Sequence, residues 1–170
     1  MGFGGAVSSG FNKYVTFSGR AARSEYWWWF VFLVLLGLAF GVVAVFVLLA
    51  TKSVLAMRLV QGVMELGLFL PTLALAVRRL HDLDRSGWWY GASFIIWIFL
   101  TALGVIVALR IHQNHVAGYP PTDGIPSAVY LVMGVLGLAE LVLCLMLFIW
   151  FCMRGTRGSN RFGGDPLRDF

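Results

Sequence analysis

The sequence predicts an all-α membrane protein with four transmembrane helices and both termini in the cytoplasm. Three observations predict it. Of 170 residues, 59% are hydrophobic and mean hydropathy is +0.82, well above the ~45–50% apolar share of globular proteins. A soluble domain of this size has too much surface to hide such a share. The apolar residues fall in four continuous runs, each close to the ~20 residues that a bilayer core requires. Finally, ten of the thirteen Lys and Arg residues lie in connections on one side of those runs.

The elements follow in chain order. In the arm of residues 1–25, Phe3, Val7, Phe11, Tyr14 and Val15 fall on one helical face, which predicts an interfacial amphipathic helix broken near Ser18-Gly19. The glycines of this arm fit an unstructured tail equally well. The first span, Tyr26 to Ala50, is uncharged and too long for the apolar stretch of a cleavable signal. The second, Val60 to Val77, carries Glu65 and Pro71; the third, Trp88 to Leu109, is uncharged; the fourth, Ala128 to Met153, carries Glu140. Continuous apolarity, rather than alternation, excludes a transmembrane barrel. Between the last two spans, Tyr119 to Pro126 reads YPPTDGIP, a turn-rich loop. The organisation is therefore an arm (1–25), a four-helix membrane domain (26–153) and a tail (154–170).

Charge fixes the sides. Lys13, Arg20 and Arg23 precede the first span, Arg78, Arg79 and Arg85 follow the second, and Arg154, Arg157, Arg161 and Arg168 follow the fourth. Lys52, Arg58 and Arg110 fall on the opposite side. Basic residues accumulate in cytoplasmic loops, which puts both termini and the 78–87 loop inside. This bias accounts for the formal charge of +5, and no nucleic-acid-binding motif accompanies it. Cys144 and Cys152, eight helical positions apart, would be separated by about 12 Å, too far for a disulfide.

The two halves echo one another. Arg23-Ser24-Glu25-Tyr26-Trp27 and Arg85-Ser86-Gly87-Trp88-Trp89 each lead into a span, and G-x-x-E-L-x-L-x-L occurs at Gly62 to Leu70 and again at Gly137 to Leu145. Two pseudo-repeated hairpins about an axis along the membrane normal would produce this pattern. Chance would too, since Leu and Gly are common in such helices.

Four groups of polar residues are candidates for function. Glu65 and Glu140 are intramembrane carboxyls, costly unless they face a bundle interior. They fit a shared proton or cation site, or hydrogen bonds that simply hold helices together. The stretch Arg78-Arg79-Leu80-His81-Asp82-Leu83-Asp84-Arg85-Ser86-Gly87-Trp88-Trp89 combines arginines suited to bidentate phosphate or carboxylate contacts with Asp82 and Asp84, which would orient them. One His and two Asp make no metal-ligand spacing, and Ser86 lacks a nucleophile elbow. Arg20, Arg23 and Glu25 form a similar set before the first span. In the tail, Asn160, Arg161 and Asp165 lie among glycines whose amides suit an anion nest.

Together these segments resemble a bacterial inner-membrane family, domain of unknown function 805. Its marks are a GRAxRxEFW-like stretch before the first helix, a proline followed by RRLHDxxxSGWW, and a late G-x-NRFGxDP. Here they stand as Gly19 to Trp27, as Pro71 with Arg78 to Trp89, and as Gly158 to Pro166. Tyr26 replaces the usual Phe and Gly164 a frequent Pro, and the loop at Tyr119 to Pro126 is long. Glu65 and Glu140 lie outside the family's marks. The resemblance implies a small multi-pass inner-membrane protein with no established activity; from the residues themselves no cofactor is expected.

Three functions compete. In the first, Arg20, Arg23, Arg78, Arg79, Arg85, Asn160 and Arg161, oriented by Glu25, Asp82, Asp84 and Asp165, bind anionic lipid head groups, a phosphorylated ligand or a partner at the cytoplasmic face. In the second, a homo-oligomeric transporter or channel uses Glu65 and Glu140. In the third, which ranks last, an enzyme acts on lipid or isoprenoid phosphates with His81 moving the proton.

Overall fold

A computed structural model describes residues 1–167; Arg168, counted above with the tail, lies outside them. Among the described residues there are five helices: α1 (Phe3–Asn12), α2 (Arg23–Thr51), α3 (Val54–Asp82), α4 (Trp88–Ala117) and α5 (Ser127–Cys152). Among the same residues there is no strand, and the last four helices are each long and apolar enough to cross a membrane. The chain divides into two compact units, one of residues 1–87 with the chain from Phe151 onward, the other of Trp88–Trp150.

In the first unit, α2 and α3 are antiparallel around the short link at Lys52 and Ser53. Ser53 caps α3, its hydroxyl accepting the Ala56 N–H. Each helix has 29 residues, about 43 Å against a hydrocarbon core of ~30 Å. Burial concentrates at the start of α2 and the end of α3. All eight buried residues of α3 fall between Pro71 and Asp82, and Glu25 and Trp29 are buried at the start of α2. Ala21, Trp29 and Leu75 form the core there, with Tyr26, Phe32, Leu33 and Leu68 packed around them. The opposite ends of both helices present exposed Leu, Val and Phe, as a lipid-facing surface does.

The arm is helical, but shorter and turned differently from the apolar stripe in its sequence. α1 ends at Asn12, before Tyr14 and Val15, and it buries Ala6 and Gly10 rather than Phe3 and Phe11. The reason is Trp29. Its indole lies against Gly10, where a Cβ would collide with the ring, and its Nε1 donates to Thr72 Oγ1 at 3.1 Å. Phe11 then meets Trp29 edge-on at 5.3 Å. Beyond α1, the Tyr14 hydroxyl donates to the Gly67 carbonyl. Pro71 has no N–H for the carbonyl four residues earlier, so Tyr14 supplies the hydrogen bond that the proline removes.

In the second unit, side chains of α4 and α5 meet at two levels, and α4 also holds the connecting loop. Trp89 and Trp150 touch edge-on at 5.5 Å, Ser93 meets Glu140, and Asn114 organises the connecting loop. Its Nδ2 donates to the carbonyls of Pro121 at 3.1 Å and Asp123 at 2.8 Å.

Candidate functional site

α3 ends where its chemistry begins. Asp84 adopts the left-handed conformation, φ 56°, which Asp tolerates better than most residues. The Arg85 N–H returns to the Leu80 carbonyl at 3.0 Å, closing the helix in a Schellman arrangement. The chain before α2 and the tail then close over this end.

Asp82 is the hub. Its Oδ1 takes Arg20 Nε at 3.0 Å and Nη2 at 2.8 Å, and its Oδ2 takes Arg79 Nη1 at 2.5 Å. The three side chains are almost fully buried, with Arg79 at 0% and Asp82 at 4% exposure. Both arginines also donate to carbonyls. Arg20 reaches Gly158 and Thr156, each at 2.6 Å, and Arg79 reaches Phe151 at 3.3 Å and Met153. The Arg79 contacts fall where α5 ends and its last carbonyls lack helical partners.

Gly155 is what allows the tail to approach so closely. A Cβ there would overlap the Asp82 carboxylate, and the next residue, Thr156, donates both N–H and hydroxyl to the Asp82 carbonyl at 2.9 and 3.1 Å. Gly158, at φ +77°, turns the chain toward Asn160, whose Nδ2 donates to the His81 carbonyl at 2.9 Å. Asn160 Oδ1 accepts the Phe162 N–H at 2.9 Å. Phe162 stacks on His81, centroids 3.8 Å apart and planes within 4°, while His81 Nδ1 lies 3.2 Å from the Gly19 carbonyl.

A second ion pair lies deeper. Arg78, 1% exposed, donates to Glu25 Oε1 at 3.2 Å, which also accepts the Ser9 hydroxyl of α1 at 2.9 Å. The Nε and Nη2 of Arg78 are buried without a hydrogen-bond partner among the described residues.

The structure thus joins Arg20, Arg79 and Asp82 in one buried network, holds Arg78 and Glu25 as a separate buried pair, and ties half-buried Asn160 to the end of α3 through the His81 carbonyl. Asp165 is tied into the tail, its oxygens accepting the N–H groups of Gly158 and Leu167. Arg161 and Asp84 pair at 3.1 Å on the surface, 61% and 48% exposed, and Arg161 stands over the Phe162 ring. Arg23 and Arg85 are exposed. Two arginines that sequence reasoning used only for orientation, Arg154 and Arg157, join Arg23 around a shallow depression floored in part by Asp82. No spacing in the sequence announces this grouping, because it arises from the tail folding back at Gly155.

The two intramembrane carboxyls have different surroundings. Glu65 is an exposed residue of α3 in the first unit. In the second unit, Glu140 Oε1 accepts the Ser93 hydroxyl at 2.5 Å and the Cys144 thiol at 3.2 Å, and its Oε2 is buried without a partner among the described residues. No group of three or more metal-ligating side chains occurs among the described residues.

Comparison with known proteins extends these observations. The family described as protein of unknown function, DUF805, matches residues 14–164. The inner membrane protein YhaI of Escherichia coli (strain K12) is 32% identical over 154 residues, covering 91% of this chain and 88% of that protein. The uncharacterized protein YiiR of the same strain is 29% identical, covering 88% and 85%. The inner membrane protein YhaH is 26% identical, covering 91% and 89%. No solved structure matches.

Proposed function

The chain belongs to the DUF805 family of proteins of unknown function, and from that footing we propose a non-enzymatic membrane module, both termini cytoplasmic, whose arginine-bearing face binds anionic lipid head groups. The orientation rests on the ten-to-three distribution of Lys and Arg, since basic residues stay on the cytoplasmic side. What supports the binding role is the sorting of the arginines. Arg20, Arg78 and Arg79 are buried against acids and carbonyls, and they act as scaffold. Arg23, Arg154 and Arg157 are exposed at the same end of the first unit. A basic side chain near an anionic leaflet gains ~1 kcal/mol, so this face favours the inner membrane surface. His81, stacked on Phe162 and held against Gly19, serves packing better than proton transfer.

Thermal unfolding in lipid nanodiscs tests the reading. Anionic lipid is expected to raise Tm above that in neutral lipid, and added salt to shrink the rise. Equal Tm in the two bilayers at low salt would exclude it. A cysteine at Ser159 that labels only from the periplasmic side would overturn the orientation.

A further inference from the structure

We propose that Arg23, Arg154 and Arg157 form a binding site for a phosphomonoester group at the start of α2. The inference rests on the head-group reading above and specifies its residues and ligand chemistry. The three residues line one depression, together with Ala22, Asp82 and Asp165. Both acids are already committed. Asp82 is bonded through each oxygen to Arg20 and Arg79, and Asp165 accepts the N–H groups of Gly158 and Leu167. Among the described residues, none of the three arginines has an ion-pair partner, and Arg23 has only a 3.4 Å contact to the Cys152 carbonyl. Three exposed arginines on one depression concentrate positive charge there.

Charge decides which anion. Three arginines against Asp165 leave a surplus of about two positive charges, which suits the ~1.5–2 negative charges of a phosphomonoester better than the single charge of a diester. Guanidinium forks match phosphate oxygens bidentately. Ala22, the N-cap of α2, lines the same depression and has no side chain to accept the first N–H groups of the helix, so the helix adds a positive field there. A phosphomonoester lipid head group and a free phosphorylated solute carry the same chemistry.

The test uses the full chain in phosphatidylcholine nanodiscs, followed by thermal unfolding. One arm replaces about one lipid in ten by phosphatidic acid, a monoester; a second uses charge-matched phosphatidylglycerol, a diester; a third adds inorganic phosphate to neutral discs. Phosphatidic acid is expected to raise Tm more than phosphatidylglycerol. Arg154→Ala/Arg157→Ala should keep its Tm in neutral discs, lose that preference, and bind phosphatidic acid roughly tenfold more weakly. Arg154→Lys/Arg157→Lys should retain the general anionic response while the monoester preference falls. A rise with inorganic phosphate alone, lost in the alanine variant, keeps the site, assigns it a soluble ligand and removes the head-group reading. Equal responses to both anionic lipids, unchanged in the alanine variant, overturn the site and leave the head-group reading standing. No response in any arm overturns both.

Discussion

The hairpin of α2 and α3 carries its polar chemistry at one end, where the arm and the tail close over it. The hairpin of α4 and α5 carries a polar cluster inside its span. In the first, every buried arginine meets a carboxylate, and Arg20 and Arg79 also meet carbonyls from the tail and the end of α5. In the second, Glu140 meets only a hydroxyl and a thiol, and one of its oxygens has no partner among the described residues. In the buried network at Asp82, charges are matched by charges, and each member depends on the others to offset the loss of water. A carboxyl held by one hydroxyl and one thiol belongs to a smaller set of contacts, and fewer buried groups depend on it.

The largest effect should therefore come from Asp82→Asn, which keeps the shape of the hub and removes its charge. Arg20 and Arg79 would then be buried without a counter-charge, a change that costs ~3–5 kcal/mol. Thermal unfolding in detergent is expected to show a large fall in Tm, with proteolysis of the tail from Phe151 onward at lower temperature than in the parent. A fall no larger than that of a surface substitution would mean that the carbonyl contacts alone hold the network.

Gly155→Ala sharpens the comparison by leaving every charge in place. The added methyl overlaps the Asp82 carboxylate, and overpacking of this kind costs ~1–3 kcal/mol. The expected result is a smaller fall in Tm than for Asp82→Asn, together with loosening of Thr156 from the end of α3. Hydrogen exchange at the Thr156 amide, bonded to the Asp82 carbonyl, reads it directly.

The spans were legible in the sequence because continuous apolarity is a local property. Their ends were not. α3 begins at Val54 and runs to Asp82, and α4 reaches Ala117, well beyond the apolar runs, because a helix continues through polar residues once it leaves the hydrocarbon and no hydropathy pattern marks its end. The arm shows the same limit from another side. Phe3, Val7 and Phe11 form the conspicuous stripe, yet Ala6 and Gly10 are buried, and at Gly10 the cause is a large ring on α2 that leaves no room for a Cβ. At the site, the three stretches with family character were visible as words. Their division into interior and surface was not. Arg78 and Arg79 are neighbours, but one turns to Glu25 and the other to Asp82, and Arg154 and Arg157 reach Arg23 only through a fold of the tail. These are consequences of long-range contacts, which one-dimensional spacing does not carry.

Glu140→Gln gives the smallest expected effect and is the strictest check on the contrast between the hairpins. Glutamine keeps a carbonyl oxygen for the Ser93 hydroxyl, so the 2.5 Å contact has a successor. What it adds is an NH2 group at the position of the buried Oε2. Interhelical polar contacts in membranes average ~0.6 kcal/mol when measured in double-mutant cycles, and a substitution that preserves one of them should cost about that or less. Tm in detergent is expected to stay close to that of the parent, and the double variant Ser93→Ala/Glu140→Gln to fall only slightly further. A loss comparable to that of Asp82→Asn would show that the second unit depends on Glu140 as heavily as the first depends on Asp82. The polar cluster of α4 and α5 would then belong to the same class as the network at Asp82, and the contrast between the two hairpins would collapse.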